Sequence, residues 1–265
     1  MRRKHGGKDK RMLVLDAEVN LVDIIIQSDA FSFDYKYKVI GVFCHVDFYL
    51  HKADPSSVPM FRDLMGQSKH CQQEKIKFDL YTIVEDAREY DAQHVHNASH
   101  VVHTIEPTGF IFHESRCGST LVANSLVAMD PVRNRVYSES DPPLAVAKAA
   151  ANGKRAVKLL QDVIYMMGRS NVPMENRLFF KIQSIGTKNM SIFRESFPGT
   201  PWIFVYRDPV QVMMSHLKVK GKSKAVCLRS RRQPPNDLKS MIKMHGDDIS
   251  SVSNEEFCAA HLVSS

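Results

Sequence analysis

The sequence predicts an α/β fold in which a mainly parallel sheet carries helices on both faces. From Thr108 onward, short apolar segments that suit buried strands alternate with longer segments whose apolar residues recur at helical spacing. Strands and helices that alternate along the chain are typical of a parallel sheet between two helical layers. Residues 1–105 are weakly patterned, so we predict an N-terminal extension over 1–105 and an α/β domain over 106–265.

Four strands are predicted in the α/β domain because four short apolar runs are bounded by turn residues or helical segments. They are Gly109–His113, Arg135–Tyr137, Arg177–Ile182 and Pro201–Tyr206. In the extension, Lys36–Phe48 has the composition of one or two further strands.

Five helices are predicted between and after these strands. They are Thr120–Met129, Pro143–Ala151, Ala156–Met167, Lys188–Phe197 and Pro209–Lys218. Leu159, Leu160 and Val163 keep the 3.6-residue period of the third helix. Asp208 suits the N-cap of the last, and proline is favoured in a first turn. Weaker patterns favour a helix at Asp79–Arg88, a basic loop at Lys220–Pro235 and a helix at Glu255–Leu262.

Composition and charge are those of a globular protein with a basic surface. Hydrophobic residues make up 43% and charged residues 25%, and the net charge is +7. The clusters Arg2–Arg11 and Lys218–Arg232 form either a solvated surface or an attractive field for a polyanionic ligand. Because aromatic residues do not alternate with these basic stretches, we expect no nucleic-acid partner.

No apolar run approaches the roughly 18 residues of a membrane span, and the N-terminus lacks the apolar segment of an export signal. We therefore expect a soluble chain without a transmembrane segment, cytoplasmic by default. The secretory pathway stays open if the N-terminus is incomplete. Asn97-Ala-Ser99 and Asn189-Met-Ser191 are glycosylation sequons that matter only in that pathway.

Cysteine and histidine spacing predicts neither a disulfide framework nor a metal site. The five cysteines are an odd number without a Cys-x-x-Cys pair. His96 and His100 would share a helix face, but no neighbouring Cys, Asp or Glu is spaced to complete a site. We expect a solvated linker there and no bound metal.

An anion-binding turn is predicted after the first strand of the α/β domain, in Ser115-Arg-Cys-Gly-Ser-Thr120. Gly118 permits a close approach of the backbone, and Ser119 and Thr120 open a helix whose free N–H groups attract anions. Arg116 adds a fork of donors suited to phosphate or sulfate, while Cys117 fits as a small filler.

The turn is not a Walker A motif, which needs two glycines followed by Lys and Ser or Thr. Gly221-Lys-Ser223 resembles the end of that motif, but it follows a helix and has His216 where the first glycine belongs. A nucleotide hydrolase or kinase is therefore disfavoured but stays an alternative.

A second charged corner follows the fourth strand. Arg207 leaves the strand, and Ser215 lies eight residues later, about two helical turns on. The pair could hold a second phosphate, although Arg207 and Asp208 as a capping pair would explain the same residues.

Together the two corners resemble the phosphosulfate-binding segments of the sulfotransferase family, over roughly Thr108–Lys218. The loop from Ser115 to Thr120 looks like the one that holds the 5' phosphosulfate. Arg207-Asp-Pro with Ser215 looks like the strand end and helix that hold the 3' phosphate. The loop most resembles a bacterial-like branch that reads Ser-Arg-Cys-Gly-Ser-Thr-Leu, and is similar to tyrosylprotein sulfotransferases.

The resemblance implies a P-loop NTPase-like three-layer fold and 3'-phosphoadenosine-5'-phosphosulfate (PAPS) as co-substrate, without a metal. It implies transfer of the sulfuryl group to a hydroxyl of a sugar, a protein tyrosine or a small alcohol. Glu139 stands where the tyrosylprotein group has its general base, and Lys181 where that group has a lysine that stabilises the transition state. Arg116 completes the implied catalytic set.

Structural alternatives remain for each of these residues. Glu139 or Asp141 could cap the following helix, and Lys181 could extend to solvent. The family usually continues further after the second corner than this chain does, and Arg229–Arg232 matches its basic loop poorly. A truncated sequence, or a degenerate module that binds nucleotide without catalysis, is therefore a second expectation.

Overall fold

A four-stranded parallel sheet flanked by helices lies at the centre of the fold. The structure is a computed structural model that describes residues 9–27, 38–97, 99–149, 153–217 and 226–264. The predicted α/β fold with helices on both faces of a parallel sheet is confirmed.

The N-terminal part contains an antiparallel sheet and five helices among its described residues. In chain order the elements are α1 (Lys10–Leu15), β1 (Asn20–Gln27), β2 (Lys38–Cys44), α2 (Phe48–Ala53), α3 (Phe61–Gln67), α4 (Lys69–Gln73), β3 (Ile76–Asp79) and α5 (Leu80–His94). The sheet has the order β1-β2-β3 with both pairs antiparallel. The predicted strand and helix of this part are confirmed as β2 and α5, and Asp79 caps α5 by accepting from the Thr82 amide.

The second part supplies the parallel sheet and most of the longer helices. Its elements are β4 (His103–Thr104), β5 (Pro107–His113), α6 (Ser119–Met129), β6 (Asn134–Ser138), α7 (Asp141–Ala149), α8 (Gly153–Gly168), β7 (Arg169–Ser170), β8 (Arg177–Lys181), a 3-10 helix (Ser184–Asn189), α9 (Met190–Ser196), β9 (Trp202–Val205), α10 (Pro209–Leu217), α11 (Val226–Ser230), α12 (Asn236–Met244) and α13 (Asn254–Ser264). All four predicted strands and all five predicted helices are present, with shifts of a few residues at their ends.

Two details of the prediction change. The fourth helix begins as the 3-10 helix, and α11 lies inside the stretch predicted as a basic loop, whose residues 220–225 are outside the described residues. The predicted C-terminal helix is confirmed as α13. Gly221-Lys-Ser223 is likewise outside the described residues.

The parallel sheet has the strand order β6-β8-β5-β9. β5, which comes first in the chain among these four strands, therefore lies inside the sheet. The chain leaves β5 for β6 on one side and later crosses to β9 on the other. This reversal makes β5 a topological switch point, and ligands of open α/β sheets bind at the carboxyl ends of the strands beside such a point.

Alternating side chains along the strands pack into two hydrophobic clusters. Val136 and Phe179 pack with Ala123 and Val127 of α6. The adjacent Tyr137 and Phe180, with Phe110 and Phe112, belong to the larger cluster that includes side chains of α8 and α9. Helices therefore cover both faces of the sheet, as the strand–helix alternation predicts.

Side chains from both predicted parts share the larger cluster. Leu21 and Phe43 of the N-terminal sheet and Phe61 of α3 belong to it together with Tyr137 and Phe180. The rings of Phe61 and Tyr137 are 5.0 Å apart between centroids. Polar contacts cross the same boundary, because Lys52 lies 2.5 Å from the buried carboxylate of Glu175, which also pairs with Arg135.

Two disulfide bonds correct the expectation drawn from cysteine spacing. Cys44 is bonded to Cys71 and Cys227 to Cys258, whereas Cys117 is free and half-buried. The partners lie 27 and 31 residues apart, so no short motif marks them, and the free Cys117 makes the total odd.

His96 and His100 follow α5, which ends at His94, so they do not share a helix face. The ring of His100 instead stacks on His94, with centroids 4.3 Å apart. Within the described ranges, no group of three or more His, Cys, Asp and Glu side chains could hold a metal ion.

No helix among the described residues combines the length and the apolar character needed to cross a membrane.

Candidate functional site

Four chain segments that leave the carboxyl ends of the parallel strands form the candidate site. The loop after β5 carries Arg116 and leads into α6. Glu139 directly follows β6, and Lys181 is the last residue of β8. The segment after β9 carries Arg207 and leads into α10. The sequence predictions therefore converge on one edge of the sheet.

The loop after β5 has a backbone conformation compatible with the predicted anion-binding turn. Arg116 has a φ of 65° and Gly118 a φ of 95°, both in the left-handed region. Gly118 is the N-cap of α6 and has no side chain to bond the first amides. The start of α6 therefore keeps its N–H groups free of a side-chain cap, which is the arrangement that attracts anions.

The predicted residues of this loop differ in accessibility. Ser119 is buried, Ser115, Cys117 and Thr120 are half-buried, and Arg116 is exposed. An added β-carbon at Gly118 would meet no atom within 4 Å, so backbone conformation, and not space, favours glycine there.

The two predicted corners meet through Arg116 and Ser215. The Arg116 guanidinium donates to the Ser215 hydroxyl over 3.0 Å and to the Ser215 carbonyl over 3.3 Å. The backbone supports the same junction, because the Glu114 amide donates to the Val205 carbonyl over 3.1 Å. Arg116 and Ser215, which are 99 positions apart, thus join the loop after β5 to α10.

Arg207 is exposed and lies against its own helix. Its Nε donates to Oε1 of Gln211 over 2.7 Å. Asp208 caps α10 by accepting from the Gln211 amide over 3.0 Å, as the sequence predicts. Because Gln211 is the one hydrogen-bond partner of the Arg207 guanidinium among the described residues and lies at the surface, a ligand at this corner could draw the guanidinium away at small cost.

Lys181 is buried in a polar cluster beneath the predicted anion-binding turn, and its side chain has no solvent exposure. Its ammonium lies 2.5 Å from Oε1 of Glu139 and donates to the Thr120 hydroxyl over 3.2 Å. The Met60 sulfur is 3.7 Å from the same nitrogen. Extension to solvent, the structural alternative for this lysine, is therefore wrong.

Strand pairing explains why Lys181 and Glu139 are neighbours. Ser138 and Lys181 are paired residues of the parallel strands β6 and β8, and the Glu139 amide donates to the Lys181 carbonyl over 2.8 Å. Glu139 has a φ of 59°, an unusual left-handed conformation for a residue with a side chain. Such backbone strain concentrates at functional sites, where surrounding contacts hold it in place.

The charge of Glu139 is strongly stabilised. Burial works against ionisation, but the His113 ring and the Lys181 ammonium outweigh it and hold the pKa of Glu139 at about 2, below the ordinary 4.5. His113 Nε2 lies 3.5 Å from Oε1, close enough for an electrostatic contact. The carboxylate is therefore ionised at neutral pH, and 19% of its side-chain surface is exposed.

Met60 and Gln183 belong to the site but were not predicted from the sequence. Met60 comes from the N-terminal part, and its sulfur also accepts from the Ser138 hydroxyl at 3.5 Å. Gln183 donates to the Glu139 carbonyl over 3.3 Å and to Asp141 over 3.1 Å. The position of Gln183 two residues after Lys181 is a weak signal, whereas no local pattern marks Met60.

The site brings two cations, the buried Lys181 and the exposed Arg116, to the uncapped start of α6, an arrangement that can hold an anion. The partly exposed carboxylate of Glu139 can accept a proton from a neutral ligand next to it. No protein-family model, curated protein or solved structure matches this chain. The chemistry of the site is therefore inferred from the chain's own residues.

Proposed function

We propose that this chain transfers a sulfuryl group from PAPS to an acceptor hydroxyl, on a P-loop NTPase-like sheet. The observation that carries the proposal is the contact of Arg116 with Ser215. A donor with a 5' phosphosulfate and a 3' phosphate needs two anion sites on one side of the sheet. The contact joins the loop after β5, which carries Arg116, to the helix that follows Arg207.

The strand order supports the same proposal. The anion-binding turn follows the interior strand β5, and the second corner follows its neighbour β9. Both corners flank the switch point where open α/β sheets bind nucleotides. Arg116, the α6 amides and Thr120 would contact the phosphosulfate, while Arg207 and Ser215 would bind the 3' phosphate and align the donor.

In the proposed reaction, Glu139 takes the proton of the acceptor hydroxyl while the acceptor oxygen forms a bond to sulfur. The bond from sulfur to the bridging phosphate oxygen breaks, and that oxygen keeps the electron pair as the desulfated nucleotide leaves. Arg116 and Lys181 stabilise the negative charge that grows on the sulfuryl and bridging oxygens.

The pairing of Lys181 with Glu139 would make donor binding precede activation of Glu139 as a base. While Lys181 is bound to the carboxylate, Glu139 is a weak base with a pKa of about 2. A donor anion above Thr120 would attract the ammonium, which already contacts that hydroxyl. The pKa of Glu139 would then rise, so the base gains strength when the donor is in place.

Calorimetric titration with 3'-phosphoadenosine 5'-phosphate, the desulfated donor, tests the proposal. We expect Arg207→Ala to weaken binding about 10- to 100-fold, the worth of hydrogen bonds between a guanidinium and a phosphate. Arg177→Ala is the matched control, because this exposed arginine begins β8 at the opposite end of the sheet. Equal losses in both variants, or ATP binding as tight as the 3' phosphate nucleotide, would overturn the proposal.

A nucleotide-binding module without transfer activity is the second candidate. The full burial of Lys181 and the low pKa of Glu139 favour it, because in this arrangement Lys181 is held by Glu139 and the carboxylate is a weak base. Mass spectrometry of a mixed hydroxyl library incubated with PAPS separates the two candidates. Sulfated product that is lost in Glu139→Gln supports the enzyme, whereas tight binding without product supports the module.

A further inference from the structure

Both disulfide bonds are buried parts of the fold. Cys44 and Cys71 connect the N-terminal sheet to α4, and Cys227 and Cys258 connect α11 to α13. All four residues are at most 3% exposed. Cytosolic reductants keep thiols reduced, whereas buried structural disulfides are typical of secreted proteins and of the lumen of the secretory pathway. Two independent bonds in separate regions therefore indicate folding in an oxidising compartment.

The sequon at Asn97 lies on the surface just after α5. Asn97 and Ser99 are exposed. The backbone amide of Asn97 donates to the His94 carbonyl over 2.9 Å in a turn. Oδ1 of Asn97 accepts from the Ser99 amide over 3.1 Å and from its hydroxyl over 2.7 Å. Among the described residues no hydrogen bond engages Nδ2, the atom that a sugar would join.

The second sequon is in a different environment. Asn189 is half-buried at the junction of the 3-10 helix with α9, and Ser191 is already helical. Two residues earlier, Thr187 donates to the His113 carbonyl and holds this segment against the candidate site. Glycan acceptors are surface loops, a description that fits Asn97 and not Asn189.

We infer that Asn97 is an acceptor for N-linked glycosylation in the lumen of the secretory pathway. The sugar donor is an oligosaccharide joined to a lipid pyrophosphate, which that compartment supplies. A bond forms between Nδ2 and the anomeric carbon, and Nδ2 gives up one proton. The bond from that carbon to the pyrophosphate oxygen breaks, and the lipid pyrophosphate leaves with the electron pair.

A glycan at Asn97 is compatible with an open site. Asn97 precedes β4 and the amino end of β5, whereas the candidate site lies at the carboxyl end of β5. The modification does not depend on sulfuryl transfer, so it stands or falls separately from the proposed function.

The test expresses the full chain behind a cleavable leader peptide in eukaryotic secretory cells. A peptide amidase then releases N-glycans and converts each linked asparagine to aspartate, which identifies the modified position in a peptide map. We expect one glycan, at Asn97, and its complete loss in both Asn97→Gln and Ser99→Ala. Asn189→Gln is the matched control and should keep the glycan.

A non-reducing peptide map of the same material tests the two disulfide bonds on which the compartment argument rests. We expect the Cys44–Cys71 and Cys227–Cys258 peptides to be linked. A folded chain without a glycan, a glycan at Asn189, or free thiols at these four positions would overturn the inference. Loss of the glycan in the two sequon variants with unchanged disulfide linkage shows that the variants still fold.

Discussion

Replacement of Lys181 by methionine removes the ammonium that stabilises the Glu139 carboxylate and keeps a side chain of similar length. The pKa of Glu139 is about 2 instead of 4.5. Each tenfold change in an ionisation constant corresponds to about 1.4 kcal/mol, so the folded state favours the carboxylate by about 3 kcal/mol. Because the His113 ring shares in this stabilisation, Lys181→Met should lower the free energy of unfolding at pH 7 by part of that amount, about 2 kcal/mol.

The pH dependence has a definite sign. Because the folded pKa of Glu139 is depressed, its stabilising contribution is fully present above the unfolded value near 4.5 and is lost as pH falls through about 2. The difference in unfolding free energy between wild type and Lys181→Met should therefore shrink to roughly 1 kcal/mol near pH 3. Urea unfolding followed by circular dichroism at the two pH values measures it.

A double-mutant cycle measures the coupling free energy between Lys181 and Glu139. If Lys181 and Glu139 act as one unit, Lys181→Met combined with Glu139→Gln should cost no more than either single change. Lys158→Met is the control, since Lys158 lies 2.6 Å from Asp162 but is mostly exposed, and it should cost about 0.5 kcal/mol. Additive effects, or a Lys181→Met loss that is as small as the control, would refute the reasoning.

Three further predictions concern other parts of the structure. Glu175→Gln should lower the unfolding free energy by about 3–5 kcal/mol in urea titrations, because the buried Arg135 loses its carboxylate. If the proposed transfer is right, Met60→Ala, which removes the sulfur 3.7 Å from the Lys181 ammonium, should change KM for the acceptor while affinity for the desulfated nucleotide stays constant. Cys227→Ser should lower the unfolding free energy by about 2–4 kcal/mol, the usual worth of a disulfide bond.

Each of these predictions has a matched control at a less buried residue of the same type. Glu89→Gln, Met129→Ala and Cys117→Ser change an exposed glutamate, an exposed methionine and the free cysteine. A Glu175 or Cys227 variant as stable as its control contradicts the packing described above. Equal effects of Met60→Ala and Met129→Ala on the acceptor KM contradict a role for Met60 at the site.

The parallel sheet could be predicted because its signals are local. Buried strands such as Arg177–Lys181 are short apolar runs, and α8 carries apolar residues at helical spacing. β1 was missed because its pattern is mixed, with three buried residues followed by exposed Asp23. The disulfide partners were missed because they come together only through pairing of separate elements.

The site residues likewise divide into those with a local sequence signal and those that come together only in the fold. The two corners were found because each is a strand end, a charged residue and a helix start within a few positions. The pairing of Lys181 with Glu139 depends on β6 and β8 being adjacent, and strand order has no local signature. Met60 comes from a segment with no recognisable motif, so only the folded chain could identify it.

The hydrophobic cluster shared by the two halves of the chain has a practical consequence for fragment work. Shortening the protein to begin at residue 106 would leave Tyr137 without Phe61 and the Glu175 carboxylate without Lys52. Such a fragment should aggregate on expression, and limited proteolysis of the intact chain should not yield a folded C-terminal core. The N-terminal segment therefore behaves as an integral structural element of the molecule and not as a detachable appendage.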